Sequence, residues 1–377
     1  MRKQILFHTV LSVIAIAFLI GTPARAENSG DGLPYHTLLG VHNGSLDYVG
    51  ELGVQVVRTI VKDQHIDEFL KKGGETSRAM QQARKNGVEF VVTTRWPANF
   101  QSAEEAIYAG KTRRASHLDR IPQGKAREAA LNQLERFLIA ADGQISWYQI
   151  QNEVFGGPGY YTHAQFKSGE ADEWLEAVAK RARETIDREH LHIKIISPAF
   201  PGLAVTDSAA SKTVDRLLQR IAPYCDAVDI HLHRSSLEDL TEKVRAMQTR
   251  MKRLGIKLPL VTLEWSQAKA IREQLRANPS AADVLRQTYR QKMSPAEWEK
   301  FVASFHLEPD YMRRSYEFMN REGFLMACWA PMSQYGSFKS PILYDVTALR
   351  ANRTVGKKAL NEVFAAQYRQ IASQIQK

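Results

Sequence analysis

Apolar residues fall along this chain in eight short runs, over 37–42, 55–61, 88–94, 145–153, 192–197, 227–232, 258–266 and 324–330. The runs are rich in Val, Ile, Leu and aromatic residues and are bounded by turn residues, which predicts buried strands. Between them the spacing predicts helices over 65–86 (interrupted at Gly73-Gly74), 125–142, 170–190, 211–222, 236–254, 310–322 and 354–374, with a long, mostly helical excursion over 267–307. In the 125–142 segment Ala130, Leu131, Leu134, Leu138 and Ile139 share one helix face. Pro198 stops the fifth strand and Gly255 ends the helix before the seventh. Residues 98–124 show no period and 155–168 are rich in Gly and Tyr, so both are expected to be loops.

Eight strands separated by helices, without a dinucleotide-binding glycine fingerprint, point to a single-domain (β/α)8 TIM barrel over 27–377. An open, doubly wound sheet is the structural alternative, and it would require the strand order to reverse midway. A length of 377 residues and a hydrophobic content of 44% suit one large α/β barrel with an ample core.

Residues 1–26 stand apart. Arg2 and Lys3 precede an apolar run over 5–20, and Ala24-Arg25-Ala26 has the small-x-small pattern of a cleavage site. This segment reads as a secretory signal peptide, so the protein is expected to be exported, to the periplasm or the medium. Its removal takes away Arg2, Lys3 and Arg25 and no acid, so a net charge of +10 falls by three to +7. A basic surface attracts anionic polysaccharide, lipopolysaccharide, membrane surfaces or nucleic acid. No zinc-ligand spacing, recognition helix or aromatic-basic repeat supports nucleic acid, and membrane association is expected only through the cleaved leader. Cys225 and Cys328 lie in or beside predicted strands and are expected to be buried free thiols.

The chemistry gathers at strand ends. The fourth run closes on Asn152-Glu153, and the seventh carries Glu264. His42 ends the first, Arg58 lies in the second, and Arg95 and Trp96 follow the third. His231 and His233 end the sixth, and Trp329 the eighth. A barrel assembles its site from the C-terminal ends of its strands, which would bring these residues together. Two carboxylates there suit a general acid and a nucleophile about 5–5.5 Å apart. One must hold a proton near neutral pH, which requires a raised pKa, while the other stays ionised beside a cation such as Arg58. The spacing of His42, His231 and His233 matches no compact metal motif, so neither a metal nor a cofactor is expected.

Asn-Glu closing strand four, Glu in strand seven and Trp near the end of strand eight resemble glycoside hydrolase clan A, the (β/α)8 superfamily of retaining glycosidases. The resemblance implies that Glu153 is the acid/base and Glu264 the nucleophile, that Asn152 bonds the sugar 2-hydroxyl, and that Arg58 keeps Glu264 ionised. It implies a site role for His231 and an aromatic floor under the sugar from Trp329, with cleavage of a β-linked oligo- or polysaccharide. One position departs from the pattern. Many members carry a tyrosine two residues after the strand-six histidine, bonding the nucleophile, where this chain has His233. A catalytically silent carbohydrate-binding barrel stays open as the alternative, and so does an exported metal-dependent hydrolase built on the histidines. The basic residues Lys111, Arg113, Arg114 and Arg120 form either a solvated loop or a clamp for uronate and other anionic sugars.

Overall fold

Among the described residues, nine parallel strands curl around a common axis: β1 Leu38–His42, β2 Val56–Val61, β3 Glu89–Thr94, β4 Trp147–Gln149, β5 Lys194–Ile196, β6 Phe200–Pro201, β7 Val228–His233, β8 Leu260–Ser266 and β9 Met326–Trp329. This computed structural model describes residues 36–42, 49, 52–61, 75–94, 121–155, 161, 163–201, 208–277, 305–329 and 362–375. The expected signal peptide, Arg95, Trp96 and the basic loop over 111–120 lie outside the described residues. Among the described residues no helix is long and apolar enough to cross a membrane.

The sheet order is β5-β4-β3-β2-β1-β9-β8-β7-β6. β5 and β6 are two pieces of one stave, broken where Pro198 lacks a donor. The first piece pairs with β4 and the second with β7. The ring closes there, as Asp226 N–H donates to the Ile195 carbonyl at 2.7 Å and Ser197 N–H to the Ala227 carbonyl at 3.0 Å. The result is eight staves in sequential order with no reversal, which excludes the doubly wound alternative and gives a (β/α)8 barrel.

The helices are α1 Glu75–Lys85, α2 Gly124–Ala141, α3 His163–Ser168, α4 Glu170–Arg188, α5 Ser208–Ile221, α6 Leu237–Arg253, α7 Ala268–Ala277, α8 Tyr311–Arg321 and α9 Glu362–Ile375. The short α3 lies in a stretch whose composition predicts only loop. α6 shows the local rules plainly. Ser236 caps it by accepting the Asp239 N–H, acids occupy the first turn, and Arg250, Lys252 and Arg253 the last. Gly255 follows at φ +71°. In α4, Ala171, Trp174, Leu175, Val178, Ala182 and Ile186 recur every three or four residues and are buried.

Side chains alternate between two cores. Val56, Val91, Trp147, Ile196, Val261, Leu263, Met326 and Cys328 fill the barrel interior. Val57, Phe90, Val92, Tyr148, Ile230, Leu232, Trp265 and Trp329 pack outward, in one cluster with the helices. Gly40 sits where a side chain has no room, since a Cβ there would meet Cys328 Sγ at 2.5 Å. Cys225 and Cys328 are both buried free thiols. At the N-terminal ends of β3, β4 and β5 the barrel is sealed by Trp147, whose indole N–H donates to Glu89 Oε2 at 2.8 Å beneath the Lys194 ammonium.

One stave departs from alternation. Against β7, β8 keeps the pairs Val228↔Leu260 and Asp229↔Val261, then Leu232↔Trp265, one residue longer. Against β9 it shifts in the same interval. The extra residue is a β-bulge at Leu263–Glu264. Val261 and Leu263 face the interior, so strict alternation would send Glu264 outward. The bulge turns its carboxylate inward instead and returns Trp265 to the helix layer.

Candidate active site

Arg58 stands in the middle of the barrel mouth, fully buried, and each of its nitrogens is engaged. Nε donates to Thr93 Oγ1 at 3.0 Å. Nη1 donates to Glu264 Oε1 at 2.6 Å and lies 2.8 Å from His42 Nδ1. Nη2 donates to Gln149 Oε1 at 2.9 Å and Asn152 Oδ1 at 2.7 Å. One guanidinium thus ties β1, β3, β4 and β8 together, and it does so because period-2 alternation aims Arg58, Thr93 and Gln149 at the axis. Thr93 and Gln149 also bond each other.

Glu264 divides its oxygens. Oε1 takes Arg58, while Oε2 lies 3.2 Å from His233 Nε2 and 3.9 Å from His231 Nδ1. His231 Nδ1 is also 3.1 Å from Glu153 Oε1. The two glutamates therefore converge on one imidazole nitrogen, and the gap between those oxygens cannot exceed the sum of these two short distances. His231 is buried, Glu264 nearly so, and Glu153 is partly exposed, its side chain at 27%.

Behind this pair stands Asp229, wholly buried and not anticipated from the sequence. Its Oδ2 lies 3.2 Å from His231 Nε2 and accepts from Gln149 Nε2. Its Oδ1 accepts the Leu263 N–H at 3.0 Å, pinning the bulge that aims Glu264. His233 Nδ1 is held by Ser266 Oγ at 2.7 Å. A signal for Asp229 existed, because Asp229, His231 and His233 sit at i, i+2 and i+4 of one strand and so share a face.

The charges follow from these contacts. Burial pushes the Glu264 carboxyl up, but the charge of His231, the hydrogen bond of His233 and the charge of Arg58 outweigh it and hold it well below the carboxylate range. Burial likewise opposes a charge on His231, yet the Glu264 and Asp229 carboxylates raise its pKa to about 10. Burial, then Arg58, keeps His42 neutral. For Glu153, burial raises the pKa, but the hydrogen bond and charge of His231 win and lower it. The raised Glu153 pKa expected of a general acid is therefore not found here, because the hydrogen bond and charge of His231 favour the Glu153 carboxylate.

These shifts set a stability profile. His231, ordinarily near 6.5, contributes fully below that pH and loses its contribution as pH rises towards about 10. His42 remains neutral when folded, so protonation of the unfolded chain destabilises the protein below 6.5. Glu264 and Glu153 lose their contributions as pH falls below the ordinary 4.5. Melting temperature is expected to peak near pH 6.5 and to fall towards pH 10, with the alkaline fall reduced in His231→Gln. A flat profile from pH 6.5 to 10 in thermal unfolding would contradict this.

Of the residues singled out in the sequence, His42, Arg58, Asn152, Glu153, His231, His233 and Glu264 form one connected group. Trp329 does not join them. It alternates with the inward-facing Cys328, is completely buried, and packs edge-on against Trp265 at 5.0 Å in the helix layer. It therefore cannot floor a sugar site. Trp96 lies outside the described residues.

No family model matches the sequence, and no curated protein matches it. Solved structures do. Xylanase 10B from Thermotoga maritima superposes with a TM-score of 0.51 at 10% identity, covering 90% of this chain and 95% of that one. A GH10 xylanase from Bispora sp. MEY-1 gives 0.54 at 9% identity, covering 88% and 96%. The β-glucosidase of Pyrococcus furiosus gives 0.54 at 11%, covering 92% and 96%. Over nearly its whole length, then, this chain has the (β/α)8-barrel fold that these xylanases and β-glucosidases also have.

Proposed function

We propose that the protein is an exported retaining glycoside hydrolase that cleaves a β-linked oligo- or polysaccharide. The observation that carries this reading is the convergence of Glu153 and Glu264 on His231 Nδ1 at the barrel mouth, with Glu264 held ionised by His231 and, at 2.6 Å, Arg58. Names of the structural neighbours, xylanase and β-glucosidase, support the β linkage. The net positive charge supports an anionic glycan as much as a neutral one.

In this reading Glu264 attacks the anomeric carbon while the glycosidic oxygen takes a proton through Glu153. The proton comes from His231, which shares it along the Nδ1–Glu153 contact. Attack removes the charge of Glu264, one of the carboxylates that hold His231 protonated, so proton release becomes easier as the bond breaks. Glu153, again a carboxylate, then takes a proton from the water that frees the sugar from Glu264. His233 bonds Glu264 Oε2 where many clan members carry a tyrosine.

The test is a panel of β-linked glycans with NMR of the first product formed. Retention of the anomeric configuration is expected, and inversion on a confirmed substrate would sink the double displacement. Binding of a glycan without turnover would favour the silent sugar-binding barrel.

A further inference from the structure

Two imidazoles and two carboxylates meet at this mouth, and their donor atoms are spaced for more than proton transfer. One donor atom from each of Glu153, His231 and His233 lies within 4.8 Å of the other two. Glu264 Oε2 adjoins the same group. In a four-coordinate zinc site, bonds of about 2.0–2.1 Å at tetrahedral angles place donor atoms roughly 3.3 Å apart. His231 Nδ1 to Glu153 Oε1 at 3.1 Å already has nearly that length. Glu264 Oε2, 3.9 Å from His231 Nδ1 and 3.2 Å from His233 Nε2, stands beside the group rather than in it.

The shell behind the donors fits as well. Metal-ligating histidines have their other ring nitrogen held by a carboxylate or another oxygen, which fixes ring and tautomer. Here Ser266 Oγ holds His233 Nδ1 at 2.7 Å, while the Asp229 carboxylate lies 3.2 Å from His231 Nε2 without the alignment of a hydrogen bond. Asp229 is itself fixed by the Leu263 N–H and by Gln149. Arg58 is tied to Glu264 Oε1, away from the Oε2 side that faces His233, so the guanidinium does not crowd the group. Two imidazoles with carboxylates suit zinc-class ions rather than magnesium or calcium, which take oxygen ligands alone.

We propose that Glu153, His231 and His233 bind a divalent transition ion of the zinc class, with the fourth position left to water, and that this ion switches the hydrolase off. The binding stands on the donor geometry. The switch rests on the proposed function: a bound ion takes the Glu153 oxygen that relays the proton and stands in front of Glu264. No electron is transferred.

The test uses the full mature protein, stripped with a chelator and dialysed, then titrated with Co(II) and Zn(II). One equivalent of Co(II) is expected to give the intense visible bands of a four-coordinate site, to be displaced by Zn(II), and not by Mg(II). The double variant His231→Ala/His233→Ala is expected to lose the bands, and Asp229→Asn to weaken binding about 10–100-fold. Only a pale six-coordinate spectrum, or bands unchanged in the double variant, would overturn the site. The wild-type spectrum decides this even where a variant fails to fold. On an identified substrate, Zn(II) is expected to inhibit competitively and a chelator to restore the rate. Undiminished hydrolysis at saturating Zn(II) overturns the switch and leaves the site. Hydrolysis that requires Zn(II) overturns both the switch and the double displacement. If no glycan is hydrolysed, the switch falls with the glycosidase reading, and the Co(II) spectrum still decides the site.

Discussion

An Arg58→Ala variant is expected to be about 3–5 kcal/mol less stable than the wild type, the usual cost of breaking a buried ion pair by removing one partner. Arg58 has no solvent exposure, and it donates to Thr93, Gln149, Asn152 and Glu264 at once. Alanine leaves the Glu264 carboxylate buried without its closest cation and strips those side-chain oxygens of a donor. Equilibrium unfolding in urea measures the loss. The deficit is expected to shrink in acid, where a protonated Glu264 no longer needs a counter-charge. Arg58→Lys is expected to fall between the two, because one ammonium cannot reach the four staves that a planar guanidinium spans. A deficit below about 1 kcal/mol, the range of an exposed pair, would mean that the arginine is not the counter-ion described.

The second large effect is on rate. Glu264→Ala is expected to lower turnover by about 10^4-fold or more, the scale seen when a group of a catalytic unit is removed. A small external anion such as azide fits the space left and is expected to restore attack on the anomeric carbon, giving a glycosyl product of opposite configuration. Glu153→Ala has a different signature. It is expected to spare aryl glycosides, whose acidic leaving groups depart without a proton, and to slow unactivated glycans strongly. Steady-state kinetics on the two substrate classes separate the roles. Unchanged turnover in Glu264→Ala would end the assignment of a nucleophile to this stave.

The staves were legible because a strand buried on both faces is a continuous apolar run, and each predicted run overlaps an observed strand. The helix at α3 was hidden because Gly and Tyr dominate its surroundings, and a single six-residue segment carries too little periodicity to announce itself. Glu153, Glu264 and Arg58 could be picked out as ions in apolar surroundings. Asp229 carries little signal of its own, because it sits one residue into β7, away from the strand ends, and acts through His231 and the Leu263 amide. Trp329 was misread for a related reason. An aromatic ring near a strand end suits a sugar or a helix equally, and only the face decides, which Cys328 beside it fixes. Protonation was the least legible property. Which of Glu153 and His231 holds the proton depends on Asp229 and Glu264, residues far apart in sequence.

The bulge in β8 separates two jobs within seven residues. Below it, Val261 is free to answer only to the filling of the barrel. Above it, Trp265 answers only to the helices. The odd residue between them lets a carboxylate be mounted without disturbing either set of neighbours. A designer wishing to move this reactive group to another barrel would therefore transplant the insertion together with its Asp229 anchor, since substituting a glutamate into an unbulged stave at the same count would point it at the wrong layer.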